Sequence, residues 1–407
     1  MDAYIARQPI FKKNMQIYGY ELLFRSNAAA MSYSGTHAEA DKATSQVVME
    51  SFYSMGVDSI TGGKPAFINF TSRLLKENIA TLFPKEHLVV EILEDVEPTP
   101  EIIKACRMLF RKGYTLAMDD FTYRPEFKPL IKISKIIKFD FMLSPPDEIE
   151  NMLKQMDTRG KRLLAEKIET NENFTLAVKM GFSLFQGYFF CKPVTLSAKA
   201  LSPLKVSYIS LLKVINSDEY FDYRKLAATI RNDVALSYKL LKLVNSAYYG
   251  LRNEVKDIVQ AITIIGTIEI RKWVFMISLV GLSSDKPDEI VKMSMIRGRF
   301  LENLNMKSAM VKSNEDVFVT GLFSMLDVLL DMPMSSALEG IYLSDDVRMA
   351  LVERKGRLYD LLELAVSMER SDWNRVDELM TLLNAEPQLI SREYLTAVKW
   401  CNEMHFL

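Results

Sequence analysis

The chain has 407 residues, nearly half of them apolar, and its 51 Lys and Arg residues almost balance its 52 Asp and Glu residues. This length accommodates two domains, while the composition excludes extended disorder and an overall positive field that would attract nucleic acid. The N-terminus does not resemble a secretory signal, and the longest apolar run, "WVFMISLVGL", is about half the length of a membrane span. With three scattered cysteines and no disulfide pattern, we expect a cytoplasmic protein without a membrane segment.

The first half of the chain, to about residue 195, alternates β-rich runs with amphipathic segments. Helix-like segments such as "PEIIKACRMLFRKG" end in basic residues and Gly, as helices tend to. Alternating strands and helices predict parallel strands, and about seven of them favour a closed α/β barrel over a small open sheet. The candidate strands are "YELLFR", "AFINF", "LVVEIL", "TLAMDD", "IIKFD", "RLLAEKI" and "SLFQGYFF".

The second half, from about residue 205, carries apolar residues at a spacing of three and four, which predicts packed helices. The segments with this pattern include "VALSYKLLKLVNSAYYG", "VQAITIIGTIEIRKWVFMISLVG" and "DVRMALVERKGRLYDLLELAVSMER". The connection "TLSAKALSPLK" contains small residues and Pro203. We therefore predict a barrel domain over residues 1–197 and a helical domain over residues 198–407.

Asp119 and Asp120 stand side by side in "LAMDDF", directly after an apolar run. Adjacent carboxylates repel one another and strands tolerate Asp poorly, so a solvated loop start is one interpretation. The other is a strand end at which both carboxylates hold a cation. The remaining strand ends decide between the two.

Polar residues stand at the ends of several predicted strands, where parallel barrels carry their chemistry. Each has a structural explanation of its own; Asn69, for example, suits a helix N-cap. Together, if the strands close, they place several carboxylates and one lysine at one mouth, and such a cluster stays ionised only when cations neutralise it. These residues are Glu21, Asn69, Glu91, Asp119, Asp120, Lys138, Glu166, Glu169 and Gln186.

Oxygen ligands suit Mg²⁺ or Mn²⁺, and paired cations of this kind are suited to phosphodiester hydrolysis. A histidine-based site is disfavoured, because the chain has only His37, His87 and His405, far apart in sequence. The residues alone therefore indicate a metal-dependent phosphoesterase.

Residues 4–195 resemble the EAL domain of cyclic-di-GMP phosphodiesterases. The similar segments, in the family's order, are "RQPIF…GYELLFR", "INFTSRLL", "VVEILE", "MDDF", "IKFD", "LAEKIET" and "FQGYFFCKP". They correspond to the signature Glu-Ala-Leu segment, the metal-binding Asn segment, and the E-x-T-E, D-D-F, K-x-D, A-E-G-V-E-T and Q-G-Y-x-F-x-K-P segments. The resemblance implies a TIM-like barrel, with outer helices trimmed because two intervening segments are short.

The resemblance also implies a site that holds two cations, Mg²⁺ or Mn²⁺, in each barrel. Glu21, Asn69, Glu91 and Asp119 would bind the first cation. Asp120 would bind the second and share it with Asp119. These ligand roles come from the family and not from spacing.

Other roles carried over from the family concern water and substrate. Lys138 would position and polarise the attacking water, and Glu166 would be the general base. Glu169, as a further catalytic residue, and Gln186, as a substrate-binding residue, would both support the network of metal and water. Arg25 would contact a substrate phosphate.

The loop after Asp120 departs from the family pattern G-T-G-Y-S. Thr122, Tyr123 and Arg124 replace small residues there. Glycines permit backbone conformations that these residues reach only at a cost, so we expect a weakly bound second metal and slow turnover. Glu94 matches the family's anchor for this loop.

Residues 200–407 resemble the HDOD domain, a helical relative of the HD phosphohydrolases. "NSAYYG" followed by "QAITIIG" carries this resemblance, and the absence of histidine between residues 88 and 404 excludes the HD metal site. Asp327 either lies near the place of the lost metal site or, as we favour, is a solvated helix-end residue. The helical half is therefore expected to regulate the barrel or to dock partners.

These observations predict a bacterial signalling enzyme that hydrolyses cyclic-di-GMP to pGpG, in pathways of the motility or biofilm type. The alternative is an inactive or weakly active barrel that serves as a cyclic-di-GMP receptor or as a scaffold acting through the HDOD domain. A relic barrel on an HDOD adaptor is a third interpretation, which the retained ligand set disfavours. The expected partners are cyclic-di-GMP, an unknown protein at the HDOD domain and a second copy in a homodimer, with no nucleic acid and no membrane.

Overall fold

The computed structural model describes residues 3–26, 56–191, 203–215, 222–246, 249–251, 253–283, 285–308, 310–341 and 343–404. The chain divides into two compact units. The first unit joins Met1–Lys192 with Glu363–Glu403, and the second joins Pro193–Leu362 with Met404–Leu407. No helix among the described residues combines the length and the apolar character needed to cross a membrane.

Eight strands of the first unit close into a barrel in chain order, as the sequence predicts. They are β1 (Ala3–Lys12), β2 (Ile17–Ser26), β3 (Ala66–Phe70), β4 (Leu88–Ile92), β5 (Thr115–Met118), β6 (Ile136–Asp140), β7 (Arg162–Glu166) and β8 (Leu184–Phe185). β1 runs antiparallel to both β2 and β8, and the other neighbours are parallel. The alternation of strands and helices did not indicate β1, because a short hairpin and not a helix joins it to β2.

Four of the six helices described between the strands have nine residues or fewer, in agreement with a trimmed outer layer. The α-helices are α1 (Val57–Thr61), α2 (Ser72–Lys76), α3 (Pro100–Lys112), α4 (Lys128–Ile133), α5 (Pro146–Gln155) and α6 (Asn171–Lys179), with 3₁₀ turns at Ile79–Leu82, Pro125–Phe127 and Phe189–Cys191. α3 has the expected ends: the Thr99 hydroxyl accepts from the Ile102 amide, and Gly113 takes the left-handed conformation after the last turn.

One layer of apolar side chains fills the barrel. It takes one residue from β1 and one from each of β3 to β8: Ile10, Phe67, Val89, Ala117, Ile136, Leu164 and Leu184. Alternate residues of a strand point to the same face, so the residue two positions away from each of these also faces inward. The barrel interior therefore continues into a second layer, one step closer to the carboxyl ends of the parallel strands.

The second unit is helical, and its predicted helical character is confirmed. Its helices are α7 (Pro203–Ile215), α8 (Tyr223–Arg231), α9 (Val234–Val244), α10 (Ile258–Ile265), α11 (Thr267–Leu282), α12 (Asp288–Ser308), α13 (Asn314–Phe323), α14 (Leu326–Leu330), α15 (Met334–Ala337) and α16 (Asp345–Arg348), followed by a π-helical turn at Met349–Glu353. The segment "VQAITIIGTIEIRKWVFMISLVG" forms two helices and not one. Gly266 separates them with a φ of 83°, a conformation open to glycine but costly for other residues.

The end of the chain returns to the barrel. It forms α17 (Arg357–Arg370), α18 (Trp373–Leu383) and α19 (Pro387–Glu403). α19 packs against β1 and α1, and the Asn402 side chain donates a hydrogen bond of 2.8 Å to the Ser59 carbonyl. Residues 363–403 thus belong to the barrel unit, although the sequence places them in the helical half. The predicted boundary near residue 197 stays a prediction.

Candidate active site

A layer of polar side chains lies directly above the apolar layer of the barrel. Its members on the parallel strands each follow an apolar-layer residue by two positions: Asn69, Glu91, Asp119, Lys138, Glu166 and Gln186. On β1, which runs the other way, Gln8 precedes Ile10 by two positions and pairs in register with Glu21 of β2. The strand pattern therefore gathers these side chains at the carboxyl ends of the parallel strands, where barrels of this kind carry their sites.

Lys138 lies at the centre of this polar layer with its side chain fully buried. Its Nζ lies 2.7 Å from Glu91 Oε1, 2.7 Å from Asp119 Oδ1, 2.9 Å from Glu166 Oε1 and 3.4 Å from Glu21 Oε2. One ammonium thus faces four carboxylates. The net negative charge of the cluster is unbalanced unless protons or further cations enter it.

The pKa values of the cluster reflect this imbalance. Burial alone would lower the pKa of Lys138, but Asp119, Glu166, Glu21 and Glu91 together raise it well above its usual value. Burial raises the pKa of Glu91 and of Glu166 well above the ordinary range, against the opposing effect of Lys138. Lys138 therefore remains charged, and protons compete with any cation for the carboxylates.

Four buried oxygens of the site have no hydrogen-bond donor among the described residues: Asn69 Oδ1, Glu91 Oε2, Glu166 Oε2 and Gln186 Oε1. Buried acceptors normally have a partner, so a group of orphaned oxygens calls for an explanation such as an ion. Asp119, Asp120 and Glu166 also bring one carboxylate oxygen each to within 4.8 Å of one another. The site consists of oxygen ligands with a deficit of positive charge, which fits a hard divalent cation such as Mg²⁺ or Mn²⁺.

Asp119 and Asp120 lie at the mouth and not in a solvated loop start. The Asp119 side chain is only 12% exposed and contacts Lys138. Asp120 adopts a φ of 36°, a left-handed conformation that is uncommon outside glycine. Burial, and then the neighbouring Asp119, raise the pKa of Asp120. The strained backbone aims two adjacent carboxylates at one place, as strain at functional sites often does.

Gln186 connects β8 to Glu21. Its Nε2 donates to Glu21 Oε2 at 2.7 Å and to Gln8 Oε1 at 2.8 Å. Gly187 follows with a φ of 138°, and a Cβ there would lie 2.2 Å from the Ile168 carbonyl oxygen. The Gln-Gly pair is therefore fixed by close packing of two backbones as well as by the amide of Gln186.

Asp140 and Lys167 lie beside the site, and the search for polar residues at strand ends did not identify them. Lys167 stands where the similar A-E-G-V-E-T segment has glycine, and it adopts a left-handed φ of 53°. Its ammonium pairs with Asp140 Oδ2, while Asp140 Oδ1 accepts from the amides of Met142 and Leu143. The glycine position in the motif was the signal that could have found Lys167, because glycine there indicates a left-handed backbone.

The loop after Asp120 has its own anchors. The Phe121 amide donates to the Lys138 carbonyl at 3.0 Å, and Arg124 pairs with Glu97 at 3.1 Å. Glu94, the expected anchor, is exposed, so its role stays a prediction. The bulky loop is thus attached to the β4–α3 connection through Glu97.

The remaining predicted residues differ in how far the structure describes them. Glu169 is exposed on the loop after β7. Arg25 lies in β2, but its side chain is outside the described residues, as are His37 and His405. Asp327 is half-buried in the first turn of α14, and burial raises its pKa. The roles predicted for Glu169 and Arg25 therefore stay predictions.

Comparison with known proteins agrees with the two resemblances. The EAL domain model matches residues 4–193, and the HDOD domain model matches residues 201–352. The chain is 35% identical to the uncharacterized protein YuxH of Bacillus subtilis, over 99% of each protein. It is 33% identical to the cyclic di-GMP phosphodiesterase CdgJ of Vibrio cholerae, over 99% of this chain and 93% of that protein.

Solved structures that match part of this chain include Klebsiella pneumoniae BlrP1 in complex with calcium and cyclic-di-GMP. BlrP1 is 19% identical, with 46% of this chain and 55% of that chain covered and a TM-score of 0.38. A standalone EAL protein of Vibrio cholerae O395 is 22% identical over 47% of this chain and 92% of that chain, with a TM-score of 0.38. Because the two relatives align along nearly their whole length and both domain models match in order, this chain belongs to the family that joins an EAL domain to an HDOD domain.

Proposed function

We propose that the protein is a metal-dependent phosphodiesterase that hydrolyses cyclic-di-GMP to the linear dinucleotide pGpG. The observation that carries the proposal is the polar layer, in which four carboxylates surround Lys138 and buried oxygens lack donors. The identity to a protein named as a cyclic di-GMP phosphodiesterase supports the choice of substrate.

Two cations, Mg²⁺ or Mn²⁺, fit the donors of the site. Glu21, Asn69, Glu91 and Asp119 would hold the first, and Asp120 would hold the second together with Asp119. When bound, such cations supply positive charge that orients a phosphate and makes a nearby water more acidic. Asn69 lies beside Glu91 on the neighbouring strand, which suits a shared ligand set.

The chain's own residues provide the proton transfer and the positioning. Glu166 takes a proton from the attacking water, whose oxygen forms a new bond to phosphorus while the bond to the 3′ oxygen breaks. The 3′ oxygen leaves with a proton from solvent, and the product is a linear dinucleotide with a 5′-phosphate. Burial raises the pKa of Glu166, and a higher pKa makes its carboxylate a stronger base for this proton transfer.

Lys138 keeps the carboxylates together and directs its charge at the water that attacks. Because the Lys138 side chain is fully buried, its three N–H protons point at oxygens of the site and not at bulk solvent. Arg25 is assigned to a substrate phosphate, and Glu169 and Gln186 to the support of the water network. Within this scheme the HDOD domain regulates turnover or docks a partner protein.

One observation favours a second candidate function, a receptor that binds cyclic-di-GMP with little turnover. Lys167 already places a cation beside Asp140 near the second carboxylate of the pair, and a resident ammonium competes with a divalent cation. The receptor would signal through the HDOD domain. The two functions differ only in whether the bound dinucleotide is cleaved.

Incubation of the purified protein with cyclic-di-GMP and Mn²⁺ or Mg²⁺, with identification of the product, separates these functions. We expect pGpG as the product. EDTA should abolish its formation, and added Mg²⁺ or Mn²⁺ should restore it. Glu21→Ala and Glu166→Ala should each lower turnover about a hundredfold or more. Binding of intact cyclic-di-GMP without product would establish the receptor, and undiminished activity in metal-free protein would exclude the metal-dependent mechanism.

A further inference from the structure

The C-terminal segment, residues 363–403, belongs to the barrel unit yet lies outside both matched domains. The EAL model ends its match at residue 193 and the HDOD model at residue 352. The segment contains the last turns of α17 together with α18 and α19, and it groups with the barrel. The buried face of α19 includes Ile390, Tyr394, Val398 and Cys401. This part of the chain therefore has a place in the barrel unit, and neither domain model accounts for it.

A chain of hydrogen bonds runs from this segment to a proposed metal ligand. Gln8 Nε2 donates to the Glu369 backbone carbonyl at 3.1 Å. Gln8 Oε1 accepts from Gln186 Nε2 at 2.8 Å, and the same nitrogen donates to Glu21 Oε2 at 2.7 Å. Gln186 Nε2 thus donates both of its protons, and the Gln8 amide uses both its nitrogen and its oxygen. The hydrogen bonds form one continuous series from Glu369 to Glu21. The orientation of the Gln8 amide is fixed because a backbone carbonyl accepts hydrogen bonds and cannot donate them.

A second contact joins the same turn of the segment to the loop that carries Gln186. The guanidinium of Arg370 lies 5.0 Å from the centre of the Tyr188 ring. Tyr188 follows Gln186 by two residues, and Arg370 follows Glu369 directly. Two neighbouring residues of α17 therefore contact Gln8 itself and the loop that carries Gln186.

We propose that residues 363–403 complete the active site, with Gln8 as a positioning residue that transmits their contact to Glu21. The Glu369 carbonyl fixes the Gln8 amide, Gln8 fixes Gln186, and Gln186 fixes the carboxylate of Glu21. The inference rests on the proposed function, because it concerns how Glu21 is positioned to bind the proposed cation. Loss of Gln8 leaves Gln186 free to rotate, and Glu21 then samples positions that do not bind the cation.

The test uses the full chain with Gln8→Met, which keeps the length of the side chain but removes both hydrogen bonds. Gln16→Met is the matched control, since Gln16 is exposed in the hairpin between β1 and β2. We expect Gln8→Met to bind Mn²⁺ about tenfold more weakly and to lose about tenfold in kcat, with KM for cyclic-di-GMP unchanged. Gln16→Met should match the wild type in Mn²⁺ affinity and in both kinetic constants.

Arg370→Ala tests the contact from the side of the C-terminal segment. Because Arg370 is exposed, this variant should fold and can serve as the test even if Gln8→Met does not fold. We expect Mn²⁺ affinity to fall about two- to fivefold, the size of an exposed cation–π contact. Arg370→Lys, which keeps a cation over the ring, should restore it. Hydrogen exchange of residues 363–403 should rise in Arg370→Ala and in Gln8→Met alike.

The Mn²⁺ titration does not depend on turnover, so it separates this inference from the proposed function. A wild type that binds Mn²⁺ but cleaves nothing would refute the phosphodiesterase, while the variants would still decide the role of the segment. Wild-type Mn²⁺ affinity in both Gln8→Met and Arg370→Ala would overturn the inference. So would a loss of affinity in Gln16→Met equal to that in Gln8→Met.

Discussion

Replacing Lys138 with Met would remove the ammonium that faces Glu21, Glu91, Asp119 and Glu166. The methionine fills a similar volume, so the main change is electrostatic. Breaking a buried ion pair by removing one partner costs about 3–5 kcal/mol, because the other charge is left uncompensated. In a unit of this size each kcal/mol lowers the melting temperature by about 2–4 °C, so we expect the metal-free variant to melt about 10 °C lower.

Metal should offset this loss. Without Lys138 the four carboxylates lose their internal counter-charge, so each divalent cation that binds them relieves more repulsion than it does in the wild type. Binding at a hundred times Kd stabilises a fold by about 2.7 kcal/mol, so saturating Mn²⁺ should recover roughly half of the deficit or more. Turnover should stay low even then, because Lys138 is assigned to the attacking water.

Differential scanning calorimetry in EDTA and in Mn²⁺ provides the assay. Lys272→Met is the matched control: Lys272 is a buried lysine of the helical unit, 2.5 Å from Glu302 Oε1 and 3.0 Å from Glu269 Oε1. That variant should lose stability without gaining a larger response to Mn²⁺ than the wild type. The reasoning would be refuted if Lys138→Met melted like the wild type in EDTA, or if Mn²⁺ raised both variants equally.

Two further predictions concern the carboxylates and the loop. Burial raises the pKa of Glu91 and Glu166, so metal-free stability is greatest below their unfolded pKa values and is lost as pH rises through the folded ones. Cation binding needs the ionised carboxylates, so the rise in melting temperature given by Mn²⁺ should grow with pH, and Glu91→Gln with Glu166→Gln should flatten that dependence. Thr122→Gly with Arg124→Gly should lower the Mn²⁺ concentration that half-saturates turnover. The control Arg159→Ala, which removes an exposed ion pair to Asp157, should leave that concentration unchanged. A slower double mutant that needs the same Mn²⁺ concentration would mean that the Glu97-anchored loop is adapted to its site.

The sequence predicted the barrel and the polar residues of the parallel strands because both follow from local pattern. Asn69, Glu91 and Lys138 each stand two residues after an apolar residue, so strand alternation alone places them inside. Gln8 was missed because β1 is antiparallel, and its inward residues are read in the opposite direction. The partner of Arg124 could not be predicted either, since Glu94 and Glu97 lie on one connection and only the loop path selects between them. Residues 363–403 were assigned to the helical half because helical periodicity carries no information about which neighbour a helix packs against.

The return of the C-terminal helices to β1 affects the order in which the barrel can be completed during synthesis. Gln8 and Glu369 are 361 residues apart in the chain, and Ser59 and Asn402 are 343 apart. At roughly 5–20 residues per second, the ribosome needs roughly 10–40 s to proceed from the last strand to α19. During that interval the eight strands are already available, but the face of β1 that α19 covers is open to chaperones and proteases. A chain that terminates before α19 therefore leaves β1 exposed. Proteases should cleave such a truncated chain near its N-terminus more readily than the full-length protein.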